Sequence, residues 1–152
     1  MKINTRIFGE VDIADEKIVT FPQGIIGFPD LNRFTLIFDE EKGVNAGIRW
    51  LQSIDEPNFA MPVMDPLFVK TDYNPQVEDA IFDTIGGIDN DEVLVLVTVT
   101  VPKEIKNMTV NLKGPIIINA VTRKAIQVIV DGDENEVKFP VYDILKARKD
   151  GE

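Results

Sequence analysis

Apolar residues along this 152-residue chain recur mainly at every second position. In the segment from Val93 to Val101, the five valines Val93, Val95, Val97, Val99 and Val101 share one strand face. Leu94, Leu96, Thr98 and Thr100 share the other. A period of two in β-branched residues marks a strand and not a helix. Both faces are apolar at the start, which predicts a place deep in a sheet, whereas the outward threonines predict a half-exposed end. Pro102 has no N–H to donate and stops the ladder. The same pattern predicts strands at Ile3–Phe8, Lys17–Phe21, Phe34–Phe38, Ile48–Gln52, Met61–Val63, Met108–Leu112, Ile116–Ile118, Ala125–Val130 and Val137–Phe139. Turn signals separate them at Gly9-Glu10, Pro22–Gly24, Glu41–Gly43, Asp55–Pro57, Lys113–Pro115 and Asp131–Asn135. Many short strands at this spacing predict a mostly β fold, a small antiparallel β-barrel-like or sandwich domain. Closure would also remove the exposed edges of strands this rich in valine.

One helical pattern interrupts the strands. Asn74 can cap, Pro75 fits a first helical position, and Val77, Ala80, Ile81, Thr84 and Ile85 follow at helical spacing. Glu78, Asp79 and Asp83 fall on the outer face, and Gly86-Gly87 can end the helix in a left-handed turn. The predicted helix spans Pro75–Ile85, with a second short helical turn near Tyr142–Ala147. The chain shows no repeat, low-complexity stretch or Ser/Pro-rich linker, so residues 1–152 are expected to form one domain with a charged tail over 146–152.

Composition narrows the chemistry. A chain of this length buries roughly 68–70% of its unfolded surface and needs no metal or disulfide to fold. There is no Cys, which removes disulfides, thiolate zinc sites and a cysteine nucleophile. There is no His, the commonest general base and metal ligand. Ser53 is the sole serine and has no histidine to activate it. No cofactor is expected. No apolar run reaches the ~20 residues of a membrane helix, and the start lacks the apolar core of a signal peptide. A soluble cytoplasmic protein is therefore expected. The net charge is −10, from 26 acidic and 16 basic residues. That opposes direct contact with nucleic acid or an anionic membrane. It serves solubility, and it also permits a basic protein partner.

Motif-like stretches mostly read as scaffold. Asp131-Gly132-Asp133-Glu134-Asn135-Glu136 has Glu136 and Tyr142 where a calcium loop needs Gly and Glu, so a charged hairpin turn is expected. Phe21–Phe28 carries two glycines but no Lys or Ser/Thr of a phosphate loop. Trp50 is expected as a core or rim anchor, with Gln52 on its face and Leu51 and Ser53 opposite. Asp65 is expected to accept backbone N–H groups in a turn, while Phe68 and Tyr73 pack. Asn111 and Asn119 are expected to hold turn backbones together.

FPQGIIGFPD at Phe21–Asp30, WLQS at Trp50–Ser53, DP at Asp65-Pro66 and MTVNLKGPIIIN at Met108–Asn119 resemble the FliW family of flagellar assembly factors. INTRIFGEV near the start and AIQVIV at Ala125–Val130 extend the resemblance from about Ile3 to Val130. The family commonly has Ala where Gly114 precedes Pro115 here, and the tail Lys146–Glu152 lies outside the match. The resemblance implies a small β-barrel-like protein without enzymatic activity that binds newly made flagellin. It also implies binding to CsrA, the carbon storage regulator, a small RNA-binding translational repressor. Free of flagellin, the factor then sequesters or inactivates the repressor, and once flagellin occupies it the repressor returns to the message, a partner switch controlling flagellin synthesis.

A repressor that binds RNA carries a basic surface, which an acidic protein can approach. Flagellin ends are amphipathic helices that a hydrophobic groove could shield. Phe68 and Tyr73 are the candidates for apolar contact, and Asp131, Asp133, Glu134 and Glu136 for charge. Acids also concentrate in Asp39–Glu41 and Asp89–Glu92. The free protein is expected to be a monomer. Two other classes remain open: a carboxylate-based hydrolase, marked by an acid pair of raised pKa in a cleft, and a structural subunit, marked by a stable homo-oligomer.

Overall fold

The structure is a computed structural model that describes residues 1–38, 47–87, 93–132 and 135–150. The turn at 41–43 and the acidic stretches 39–41 and 89–92 lie outside the described residues.

Strands β1 (Lys2–Thr5) and β2 (Gly9–Asp12) form a separate antiparallel hairpin. The remaining strands are β3 (Ile18–Thr20), β4 (Arg33–Phe38), β5 (Arg49–Ser53), β6 (Ala60–Met64), β7 (Val93–Thr100), β8 (Thr109–Val110), β9 (Ile116–Asn119), β10 (Lys124–Gln127) and β11 (Phe139–Pro140). They follow the order β11-β8-β7-β6-β5-β4-β3-β10-β9. A further pairing of β7 with β9, from Val93↔Asn119 to Leu96↔Ile116, closes seven of them into a barrel. The fold is thus mostly β and antiparallel, as the alternation predicts. One seam, β3 beside β10, is parallel.

Two predicted boundaries move at the chain start. The first strand ends at Thr5, and Gly9-Glu10 belongs to β2 rather than to a turn. The turn falls at 6–8, where Thr5 Oγ1 accepts from Phe8 N–H (2.9 Å) and donates to the Gly9 carbonyl (2.7 Å). The polar-apolar alternation Glu10-Val11-Asp12-Ile13 is the signal for β2.

Alternation assigns the strand faces to three buried clusters. Phe21, Phe34, Leu51, Val63, Leu96, Ile116, Ile118 and Ala125 fill one cluster. Residues at the opposite parity of the same strands, Ile117 and Ile126, form a second with Ile85, with Val77, Ile81, Phe82, Val93 and Val128 packed against it. Val97, Val99, Val110 and Leu112 form the third with Tyr73, Val141 and Leu145. Val141 and Leu145 belong to α2 (Tyr142–Asp150) and its N-terminal flank, so a nine-residue helix stands where a short turn is predicted. In β7 the deepest residues are Leu96 and Val97, at 0% exposure. Val93 to Val95 are half-buried instead of deepest, because a groove opens above them. Thr98 is half-buried and Thr100 exposed.

The predicted helix shrinks to α1 (Asp79–Asp83). Asn74 does not cap it; Glu78 stands at that position, without a side-chain cap bond. Glu78 is extended, with φ −65° and ψ 143°, residues 74–77 take no helix, and the segment lies over the barrel as a strap. Its far end stops as predicted, with Gly86 and Gly87 at φ 103° and 95°.

The turn after β3 sets one wall of the site. Gly24 N–H donates to the Phe21 carbonyl (2.9 Å), and Phe21 and Asn32 exchange a backbone bond (2.7 Å) and a side-chain bond (2.8 Å). Gly24 has φ +73°, and a Cβ there would lie 2.5 Å from Pro29 backbone atoms. Gly24→Ala is therefore expected to cost about 2 kcal/mol or more in denaturant melts. Leu112 is fully buried, and Leu112→Ala is expected to cost about 2–5 kcal/mol. Trp50 is a half-buried rim residue outside the three clusters, and Trp50→Ala is expected to cost less than Leu112→Ala. Melts in which Leu112→Ala and Gly24→Ala are both neutral would contradict this packing.

Candidate partner-binding site

The strap has a groove on each side. The first has a volume of about 380 Å³ and is lined by Asp65, Pro66, Leu67, Tyr73, Asn74, Pro75, Val77, Phe82, Val93, Leu94, Val95 and Ile117. Its floor is the half-buried start of β7. Its wall is the 3-10 turn Pro66–Phe68, which Asp65 fixes by accepting from Leu67 N–H at 2.9 Å. This is the turn role predicted for Asp65. The second groove, about 670 Å³, is lined by Gln23, Ile26, Gln76, Val77, Glu78, Ile81 and the stretch 126–132.

Buried amide and hydroxyl groups hold both ends of the strap. Tyr73 is 8% exposed and its hydroxyl donates to the Leu112 carbonyl at 2.6 Å. At the other end Asn119, 4% exposed, donates through Nδ2 to the Gly87 carbonyl (3.3 Å). Its Oδ1 accepts from Val121 and Thr122 N–H (2.9 and 3.2 Å). Thr122 Oγ1 donates to the Ile85 carbonyl (2.7 Å). Asn119 thus has the turn-holding role predicted for it. Asn111 is only half-buried, and its Oδ1 accepts from Lys113 N–H at 2.9 Å. Away from the strap, buried Gln52 accepts from Arg6 N–H (3.0 Å) and donates to the Pro57 and Phe59 carbonyls (3.0 and 3.2 Å), tying a loop to the barrel.

The predicted contact residues separate. Phe68 is 38% exposed on the turn beside the first groove. Tyr73 is a core residue that presents an edge to that groove and anchors the strap. Asp131 is exposed and lines the second groove. Glu136 is exposed, and its carbonyl accepts from Leu112 N–H at 2.8 Å. Asp133 and Glu134 lie outside the described residues. Buried Asn135 holds the loop by donating to the Asp131 carbonyl at 2.6 Å. Leu67, Val77, Phe82, Ile26 and Ile129 line the grooves, and none of them is a contact candidate in the sequence. The available signal was apolar residues at exposed loop positions and strand ends, Ile26 at 51%, Leu67 at 51% and Ile129 at 61%.

Charge at the site is mostly acidic. The second groove carries Glu78 and Asp131 and no lysine or arginine. Among the described residues the ion pairs are Met1–Asp12, Lys106–Glu104 and Arg33–Asp55, away from both grooves. The hydrogen bond from Arg33 holds the Asp55 carboxyl below its usual range. This pair is half-exposed and adds little stability. Among the described residues no three His, Cys, Asp or Glu side chains gather to hold a metal. Nor is any helix there long and apolar enough to cross a membrane.

Fold and grooves together define a small closed β-barrel with an apolar, acid-rimmed surface around one strap. The model of the FliW protein family matches residues 2–141, and the chain belongs to that family. The flagellar assembly factor FliW of Lachnospira eligens is 48% identical over 150 residues, covering 98% of this chain and 99% of that one. The one from Lachnoclostridium phytofermentans is 41% identical over 155 residues, covering 100% and 99%. A crystal structure of the flagellar assembly factor FliW superposes with a TM-score of 0.85 at 27% identity, over 93% of this chain and 97% of that one.

Burial raises the Tyr73 pKa from 10 to about 12. The neutral phenol is the form the fold favours. Its contribution is complete below the unfolded value near 10 and is lost as pH rises through about 12. Tyr73→Phe leaves the Leu112 carbonyl unpaired and is expected to cost about 1–3 kcal/mol at neutral pH. In alkaline titration, the tyrosinate absorbance missing from Tyr73→Phe should be the part that develops near pH 12. Loss of a component near pH 10 would place Tyr73 in water.

Proposed function

We propose that this chain is a cytoplasmic flagellar assembly factor, without enzymatic activity and monomeric when free. In this reading it binds flagellin in a chaperone-like manner and antagonises the translational repressor CsrA. Free of flagellin it sequesters the repressor; occupied by flagellin it releases it. The observation that carries the reading is the family match across residues 2–141, with relatives named as flagellar assembly factors. The absence of His and Cys from the chain supports a binding role over hydrolysis.

The first groove suits the flagellin end. It is largely apolar and has Leu67 and Phe82 in its lining, with Phe68 on the adjoining turn, which would match the apolar face of an amphipathic helix. The acidic loop with Asp131, Asp133, Glu134 and Glu136 suits the basic repressor. Titration calorimetry with full-length and end-truncated flagellin tests the first contact. One-to-one binding that disappears on truncation is expected. Binding unchanged by truncation, or none with the full chain, would refute it. For the second contact, charge neutralisation of the four acidic residues should slow association with the repressor and leave flagellin binding intact. Long-range attraction is screened beyond about 8 Å at about 0.15 M salt, so the on-rate should fall as salt rises. A stopped-flow on-rate insensitive to both changes would reduce the loop to a solvated turn.

A further inference from the structure

The second groove contains an open sheet edge. Past Gln127 the chain keeps its ladder on one side only: Val128 N–H donates to the Pro115 carbonyl (3.0 Å) and Val130 N–H to the Lys113 carbonyl (2.9 Å). In an antiparallel ladder alternate residues send their backbone groups to opposite edges. The N–H groups of Ile129 and Asp131 therefore point away from β9. Among the described residues neither has a hydrogen-bond partner.

The sequence explains why this edge is open. β3 covers the start of β10 through a parallel rung in which Thr20 N–H donates to the Arg123 carbonyl at 2.8 Å. The next donor along a parallel ladder would be residue 22. Pro22 has no N–H, so pairing ends and the chain turns away through Gly24. The uncovered edge faces the groove of about 670 Å³ between the strap and Ile26.

We propose that this edge receives an extended peptide segment of a protein partner as an added β-strand. The segment carries apolar residues at alternate positions and a flanking lysine or arginine. The unpaired donors select a strand, since a helix has already used its backbone groups internally and could not satisfy them. Ile26, Ile81 and Ile129 offer apolar contacts, and Ile26 and Ile129 are 51% and 61% exposed. Glu78 and Asp131, with no basic residue in the lining, select a cationic partner. The same charge opposes a second copy of this chain, whose net charge is −10. The proposal stands on this backbone geometry and goes beyond the flagellar reading, and its test uses neither flagellin nor the repressor.

The probe is a displayed library of short random peptides, selected on the full chain. Enrichment of alternating apolar sequences flanked by Lys or Arg is expected. Ile129→Pro removes the outward N–H while leaving the bonds to residues 113 and 115, and should weaken a selected peptide by about tenfold, the worth of one unpaired backbone group. Ile129→Ala, which keeps the N–H, should bind more tightly than Ile129→Pro. Should Ile129→Pro fail to fold, amide hydrogen exchange on the unaltered chain decides: Ile129 and Asp131 should gain protection when the peptide binds. No enrichment, selection of helical-period sequences, unchanged exchange at both amides, or self-association of the chain through this edge would overturn the proposal.

Discussion

Ile116, Ile117 and Ile118 are buried on both faces of one short strand, β9, which pairs with β7 on one side and β10 on the other. That double burial is the constraint from which the rest follows. Ile116 and Ile118 need one apolar cluster, and Ile117 needs another on the opposite face. The first is met by closing seven strands. The second is met by drawing residues 74–85 over the outside. Each buried isoleucine contributes roughly 1.5–3 kcal/mol, which offsets the ordering of a strap whose own helix is only five residues long. Closure also settles the edge problem for β7 and β9, each of which is paired on both sides.

The surface proposed for binding is a by-product of that covering. A strap extended at one end and helical at the other cannot seal a barrel side, so apolar floor shows on both flanks. Tyr73 and Asn119 pin the strap ends through buried hydrogen bonds. Leaving either partner unpaired in the interior costs more than the bond itself contributes. The grooves are therefore fixed in position by the scaffold residues. Pro22 plays the complementary part, ending one rung of the ladder and leaving the adjoining edge unoccupied.

Most of the barrel was legible in the chain. The alternation from Val93 to Val101 located β7, and Lys113–Pro115 located the break between β8 and β9. Gly86-Gly87 located the end of the strap. Two of the features that escaped did so for physical reasons. Asn74-Pro75 carries a valid capping signal, but the helix starts only after Glu78, a tertiary outcome that local propensity does not contain. The half-burial of Val93 and Val95 was hidden because alternation reports a face without reporting what covers it. Of the candidate contacts, Asp131 lines the second groove, and Phe68 sits on the turn beside the first. Tyr73 packs as expected, but nothing in the sequence shows its hydroxyl meeting the Leu112 carbonyl across the fold.

The central claim is that partners engage the barrel face crossed by the strap. The most direct measurement is a map of backbone amide chemical shifts on an isotope-labelled chain as unlabelled flagellin is added. Perturbations gathered around Leu67, Val77, Phe82 and Val93, with β4 and β5 unchanged, are the predicted result. Perturbations gathered on β4 and β5 or on the β1–β2 hairpin, with the strap silent, would contradict it.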